Sequence, residues 1–335
     1  MSAFEEGTIL VTGGAGFIGS AIVWELNRRG HDNIVISDRL GTDEKWKNLT
    51  GLRYMDFVDA DVLLEAVEAS EDCLGYVSTI FHLGACSATT ETDADFLISN
   101  NYEYTKAMAL WSQSIDARFV YASSAATYGD GSQGMSDTDD DLSKLRPLNM
   151  YGYSKHLFDV WAQQQGILDD LVGLKYFNVY GPNENHKEDM RSLVNKAYTQ
   201  IVDTGRVGLF KSYLPDYNDG EQMRDFLYVK DAVKMSLHLA ENPEAGGLFN
   251  VGSGTASTWI QLVEGIFAAL GKEPQIEFID MPEAMRDKYQ YYTCADTSKL
   301  AASGYDGGVT PLADAVKDYV VEYLMPGKLL DCAGA

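Results

Sequence analysis

Tyr151 and Lys155 stand four apart in the string YGYSK, a spacing that puts both side chains on one face of a helix. A phenol beside an ammonium suggests acid/base chemistry. The neighbouring positive charge favours the phenolate and lowers the group from its ordinary value of about 10, so that it can take a proton from an alcohol. Ser124 stands just past the β-rich run RFVYA, in the string SSAATYG, and its hydroxyl would hydrogen-bond the same alcohol oxygen. Removing that proton leads to oxidation only if a hydride acceptor faces the same carbon. The string TGGAGFIG offers a place for one. It spaces Gly13, Gly16 and Gly19 between an apolar strand and a helix, where glycines permit a tight turn and a close approach of backbone to a pyrophosphate. The free N–H groups of the helix start then face the anion. Asp38, 19 residues beyond Gly19, closes the second strand, which is where a dinucleotide fingerprint carries its ribose-binding acid.

These groups need a scaffold that brings strand ends together. Residues 8–12, 33–38, 80–83, 118–122 and 172–177 read as strands, and 17–29, 61–69 and 101–115 as helices. Strands alternating with helices imply a parallel sheet with right-handed crossovers. The expected fold class is therefore α/β: a doubly wound parallel Rossmann sheet with a smaller C-terminal α/β substrate lobe. In such a sheet the C-terminal strand ends line one crevice. After Pro182 the chain turns charged and rich in Gly and Tyr, with a helix expected over 190–203 and a polar loop over 212–222. Residues 225–254 read as strand-helix-strand, 258–270 as an amphipathic helix and 275–279 as a strand. The expected division is 1–181 with 225–255 for the dinucleotide, and 182–224 with 256–335 for the substrate.

Composition narrows the partners. The 335 residues carry a net charge of -24, which disfavours nucleic acid and anionic membranes. No apolar run is long enough to span a bilayer, and no basic segment followed by an apolar one opens the chain, so a cytoplasmic protein is expected. The four cysteines form no CxxC and have no histidine cluster beside them. Neither a metal nor a disulfide framework is expected. A dianionic substrate would need local cations to overcome the global charge; Lys196, Lys211, Arg224, Arg286 and Lys288 are the candidates. The choice of dinucleotide rests on Asp38, which suits a free ribose 2′-hydroxyl, and on Arg39, Lys45 and Lys47, which suit a 2′-phosphate. The balance leans to NADP, with NAD as the alternative. Trp111, Phe158 and Trp161 lie on helical faces that would serve either a homo-oligomer contact or the core.

TGGAGFIG, SSAATYG, YxxxK, FNVYGP and RDFxxV together resemble the extended short-chain dehydrogenase/reductase superfamily over nearly the whole chain. The strings FHLGACSATTETD (81–93), NNYEYTK (100–106), PLNMYGYSKHLFD (147–159), KYFNVYGPNENHK (175–187) and RDKYQYYTCAD (286–296) are similar to the ADP-L-glycero-D-manno-heptose 6-epimerase family. That resemblance implies inversion at carbon 6 of an ADP-linked heptose, by hydride removal to a ketone and hydride return to the opposite face. It implies Tyr151 and Lys187 as the two acid/base groups, with Ser124 and Lys155 completing the catalytic set. It implies cofactor contacts from Gly13, Gly16, Phe17, Ile18, Gly19, Asp38, Arg39, Lys45, Leu83, Gly84, Ala85, Cys86, Ser87, Asn100, Lys155, Val179 and Lys187. The implied substrate contacts are Ser124, Asn178, Asp189, Lys196, Phe210, Arg224 and Tyr289. To act as a base Lys187 must be neutral, so burial or a cationic neighbour must lower its pKa.

The chain departs from the family pattern mainly on the sugar side, with one departure at a cofactor position. Asp189 replaces a small serine, Lys196 a histidine, and Ala60 a cofactor-contacting lysine; Phe210-Lys211-Ser212-Tyr213 replaces a Glu-Gly-Ser string, and extra residues precede Arg224. Three other functions compete. An epimerase acting at carbon 4 of a UDP-hexose would share the scaffold, and the HK pair disfavours it. A sugar 4,6-dehydratase needs an Asp-Glu pair where Ala125 and Ala126 stand. A redox sensor or scaffold of the same fold would be expected to have lost Ser124 or the Tyr-Lys pair, and all three are present.

Overall fold

The computed structural model describes residues 4, 7–71, 74–138, 141–286 and 289–332. Six strands enter one sheet in turn: β1 (Thr8–Thr12), β2 (Ile34–Asp38), β3 (Asp56–Asp59), β4 (Val77–His82), β5 (Arg118–Ser124) and β6 (Val172–Tyr176). Then β7 (Asn178–Tyr180), β8 (Val207–Phe210) and β9 (Met223–Tyr228) leave it, and β10 (Gly247–Val251) returns to the edge beside β6. The order β10-β6-β5-β4-β1-β2-β3 is parallel throughout. This is the doubly wound sheet that strand-helix alternation implied. The chain reverses its direction of travel at β1, between β2 and β4, and that switch point opens the crevice.

Strands β1, β2, β6 and β10 are buried along their whole length, because helices cover both faces. Alternate residues of one strand serve different cores. Ile9 and Val11 pack with α1 (Phe17–Arg28) and α7 (Val229–Glu241). Leu10 packs on the other face, where α2 (Ala60–Glu68), α4 (Tyr104–Ser114) and α5 (Met150–Gln164) lie. The helix expected over 101–115 starts earlier, at α3 (Ala94–Leu97), where the Asp93 carboxylate accepts from the Phe96 N–H at 2.9 Å. It runs on through a π-helical segment, Ile98–Glu103, before α4. Phe158, one of the two-way interface candidates, is 1% exposed and belongs to the core. Trp111 and Trp161 are partly buried against the same cluster.

The C-terminal part builds two smaller sheets. In one, β9 lies between β7 and β11 (Ala256–Thr258); in the other, β12 (Ile276–Ile279) pairs with β8. The helix expected over 190–203 is α6 (Leu193–Thr204), capped by Ser192. The one expected over 258–270 is α8 (Trp259–Ala269), opened by a Thr258–Gln261 capping box.

Candidate active site

The glycine loop is closed by contact rather than by side chains. Gly13 has φ +66°, and a Cβ there would sit 2.7 Å from the Gly84 nitrogen, on the loop after β4. A Cβ on Gly19 would lie 2.2 Å from the Gly13 carbonyl oxygen. Gly16 caps α1 without any side-chain acceptor, and the first turn carries no acid, so the helix start keeps its N–H groups for an anion. Phe17 and Ile18 begin that helix, Phe17 buried and Ile18 packed partly on the core.

Asp38 ends β2 as expected. One carboxylate oxygen accepts from the Ala15 N–H at 3.0 Å, and the other meets Lys45 Nζ at 2.9 Å. Arg39 is engaged as well: Nε donates to Asp61 at 2.8 Å and Nη1 to Asn100 Oδ1 at 2.5 Å. The charged hydrogen bond to Asp61 raises the Arg39 pKa, and the same bond lowers that of Asp61. Leu83, Gly84, Ala85 and Cys86 follow β4 as a half-buried loop, and Ser87 is exposed. The loop is tied down by Asn101, whose Oδ1 accepts from the Cys86 N–H at 2.8 Å and whose Nδ2 donates to the Cys86 carbonyl at 2.9 Å and to Ser154 Oγ at 3.0 Å.

Helix α5 starts beside Ser124. Its cap is Asn149, whose Oδ1 accepts from the Gly152 N–H at 2.8 Å. A Cβ on Gly152 would lie 2.8 Å from the Ala126 carbonyl oxygen, so only glycine lets the helix start approach the turn after β5 this closely. That approach puts the Tyr151 phenol in hydrogen-bonding contact with the Ser124 hydroxyl. Ser124 Oγ also accepts from the Ala126 N–H at 3.1 Å. The expected lowering of Tyr151 by Lys155 is not found in the protein alone. Burial raises the phenol, the Ser124 hydrogen bond works against that rise, and the lysine does not contribute. Lys155 is 5% exposed, and burial lowers its ammonium to about 8, opposed by Asp159 one turn along the helix. Asp159 is itself fully enclosed, accepting from Tyr121 at 2.8 Å, Ser123 at 2.7 Å and Lys175 at 2.9 Å.

Lys187 lies on the loop after β7 and reaches the start of α1. Its Nζ lies 5.5 Å from the centre of the Phe17 ring, at the start of α1. Burial lowers the Lys187 pKa, as a base there requires, while Glu184 opposes the shift. The loop is fastened to the glycine turn by Asn48, whose Nδ2 donates to the Ala15 carbonyl at 2.9 Å and the Asn183 carbonyl at 3.0 Å. Two non-glycine residues flank Lys187 with left-handed backbone, Asn183 at φ +75° and Glu188 at φ +47°. Such strain persists only where surroundings enforce it. Asn178 is exposed at the start of β7, and Val179 beside it is half-buried.

The sugar-side candidates scatter more widely. Arg224 is 6% exposed, with its guanidinium 4.9 Å from the Tyr289 ring and 5.7 Å from the Trp259 ring. Phe210 ends β8 half-buried. The cationic cluster expected for a diphosphate is largely committed elsewhere. Lys196 donates to the Asp189 carbonyl at 3.1 Å, Lys211 pairs with Asp280 at 3.0 Å, and Arg286 lies 4.0 Å from the Tyr213 ring centre. These neighbours are distant in sequence or are backbone atoms, so counting charges could not reveal them. The Asp189 side chain is exposed. Lys288 lies outside the described residues.

Residues 9–252 match the NAD dependent epimerase/dehydratase family. The chain belongs to that family. It is 54% identical over 315 residues to the ADP-L-glycero-D-manno-heptose-6-epimerase of Nitratidesulfovibrio vulgaris (strain DP4), covering 94% of this chain and 97% of the relative. The crystal structure of the Helicobacter pylori ADP-L-glycero-D-manno-heptose-6-epimerase superposes with a TM-score of 0.78 at 27% identity, covering 96% of this chain and 97% of that one. A Thermus thermophilus UDP-glucose 4-epimerase complex with NAD superposes at 0.73 and 25% identity, covering 96% and 100%. This member of the epimerase/dehydratase family is therefore an epimerase enzyme that uses a nicotinamide cofactor. Its glycine cradle, which any Cβ would fill, and its uncapped helix start fit that cofactor.

Sequence reading missed several of the polar residues that hold this epimerase site in shape. Asn101 and Asn48 bridge segments far apart in sequence, and Asp61 answers Arg39 across 22 positions. The π-helical turn at Ile98–Glu103 gave a weak signal: it is the place where two asparagines interrupt an otherwise helical pattern, and π turns gather at functional sites.

Proposed function

We propose that this chain epimerises an ADP-linked heptose at carbon 6 by transient oxidation and reduction, a step that supplies lipopolysaccharide precursors. The observation that supports the reading is Lys187, its ammonium pKa lowered by burial, beside Phe17 at the start of the glycine-turn helix; with Tyr151 on α5 it would give the site two separately anchored acid/base groups. If the sugar stays in place and only its side chain turns over, the two faces of the reacting carbon call on different proton-transfer groups. When bound, the nicotinamide dinucleotide supplies the hydride acceptor and donor. Tyr151 takes the proton of the sugar hydroxyl, with Ser124 holding the same oxygen. Lys155, already lowered to about 8, holds a cofactor ribose and favours the phenolate once the ring is in place. Lys187, kept closer to neutrality by burial, handles the proton on the other face.

Gly13, Gly16, Phe17, Ile18, Gly19, Asp38, Lys45, the 83–87 loop, Asn100 and Val179 hold the dinucleotide. Asn178, Asp189, Lys196, Phe210, Arg224 and Tyr289 line the substrate side. Arg39 favours NADP, because a 2′-phosphate can replace Asp61 as its partner. Residues 1–181 with 225–255 serve the cofactor, and 182–224 with 256–335 the sugar. The exposed Tyr153 and Leu110, on α5 and α4, support a homo-oligomer contact. A second reading, inversion at carbon 4 of a UDP-hexose, shares every group except the purpose of Lys187.

The test is epimer interconversion by purified protein without added cofactor, followed by NMR of ADP-heptose. Tyr151→Phe should retain dinucleotide and lose about 100- to 10,000-fold in turnover. Near-normal turnover in that variant removes Tyr151 from the mechanism. Turnover of UDP-hexose alone replaces the substrate.

A further inference from the structure

We propose that the loop 212–222 is a clamp for the aromatic base of the nucleotide sugar, with Tyr217 as the ring that completes its wall. The inference rests on the nucleotide-sugar reading above and names a part of the site that the family pattern does not carry.

The loop is polar in sequence and reads as a surface excursion, yet it is pinned. The Ser212 N–H donates to Asp219 Oδ1 at 2.7 Å. Gln222, fully buried at its foot, donates to the Phe210 and Lys211 carbonyls, both at 3.3 Å. Gly220 turns with φ +75°, and a Cβ there would meet Phe278 at 2.8 Å and Ile260 at 2.9 Å. A loop held this way presents its side chains in fixed places.

Those side chains extend a chain of rings. Tyr217 lies 5.3 Å from Tyr291 at 45°, and Tyr291 lies 5.3 Å from Tyr289 at 78°. Tyr289 accepts from Trp259 Nε1 at 2.8 Å and covers the Arg224 guanidinium. Among the described residues the Arg224 guanidinium gives one hydrogen bond, to the Met223 carbonyl at 2.9 Å. A guanidinium has five donors, and a buried one left short of acceptors is suited to an incoming anion. A diphosphate oxygen beside Arg224 would put the attached nucleoside against the rings.

The register links this cluster to the chemistry. Asn178 pairs with Phe226, and Arg224 is two residues earlier on β9, so the cluster stands about 7 Å along the strand from the crevice row. The loop's own charges decide which part of the ligand it meets. Asp216, Asp219 and Glu221 are all acidic, and Lys211 at its edge is paired with Asp280. Such a loop repels phosphate and accepts the uncharged base.

The experiment is calorimetric titration of the dinucleotide-loaded protein with ADP and, separately, with pyrophosphate. Tyr217→Ala should weaken ADP about tenfold, within the range of one base–aromatic stack, and leave pyrophosphate unchanged. Tyr217→Phe keeps the ring and should bind ADP as the wild type does, and KM for the nucleotide sugar should follow ADP affinity at constant kcat. Equal ADP affinity in Tyr217→Ala and wild type overturns the clamp, as does an equal loss for pyrophosphate. Wild type preferring UDP to ADP, with Tyr217→Ala weakening UDP, supports the clamp and removes the adenosine part of the proposed function.

Discussion

The surroundings of Gly13 and those of Arg224 use opposite means to shape a ligand site. Around Gly13 the backbone does the shaping: β1, the loop after β4 and the start of α1 approach until no Cβ fits between them. Buried polar groups such as Asn101 and Asn48 then fasten one loop to the next. Around Arg224 the shape comes from side chains, rings packed tilted and edge-on against rings, on strands and loops outside the central sheet. The first arrangement leaves little room for substitution, because a change moves main chain. The second can be revised one side chain at a time. The departure at 210–222 falls on the second kind of ground, whereas the glycine cradle follows the fingerprint throughout.

Lys187 sits on a strained loop tied to the glycine turn, and its removal should give the largest effect. Lys187→Ala should fold normally and lose about 100- to 10,000-fold in overall epimerisation, because oxidation of one epimer fails while that of the other is spared. Absorbance of the reduced nicotinamide after mixing with each epimer separately would show it, with one half-reaction spared. Wild-type turnover should also rise with pH through the lowered Lys187 value, since the neutral amine is the base, and the variant should lack that rise. Equal loss from both epimers would remove the two-base scheme.

Lys155 tests the buried side of the comparison through stability. Its ammonium titrates at about 8 in the fold against 10.5 unfolded, because burial disfavours the charge. Below pH 8 both states are charged and the cost is constant, amounting to about 3 kcal/mol. Between 8 and 10.5 the unfolded chain keeps a proton that the fold has shed, so wild type gains stability as pH rises through that window. Lys155→Met should therefore stabilise the dinucleotide-free protein at neutral pH, by an advantage that shrinks toward pH 10. Denaturant titrations at neutral and alkaline pH would measure it. A variant less stable at neutral pH would mean that the ammonium is held by attraction stronger than its burial.

The division between the two constructions also marks what the sequence could tell. Apolar runs at 8–12 and 33–38 announced the strands, and GxxGxxG announced the tight turn between β1 and α1 with Asp38 at the end of β2, because local spacing carries that information. Tyr151 beside Lys155 was legible as helical spacing, but the direction of its pKa was not, since burial decides it and burial is a property of the assembled core. The cationic pocket failed for a related reason. Lys211 finds Asp280 across 69 positions, and no local pattern announces such a partner. Tyr217 looked like one more polar-loop residue until the rings it meets, 74 positions on, came together around Arg224.

Asp61 gives the smallest and most discriminating effect, because it lies at the edge of the backbone-built site but acts through a side chain. The Arg39–Asp61 pair is exposed, with 42% and 62% of the side chains open to solvent, so its strength is modest. A 2′-phosphate must displace Asp61 from Arg39, whereas a 2′-hydroxyl need not. Asp61→Asn should therefore improve NADP binding relative to NAD by about threefold, the scale of an exposed ion pair. Competitive titration of the two dinucleotides against the dinucleotide-free protein would show the shift. An unchanged ratio would mean that Arg39 does not meet the 2′ position. Specificity at that end would then rest with Asp38, already held between the Ala15 N–H and Lys45, and NAD would become the expected partner.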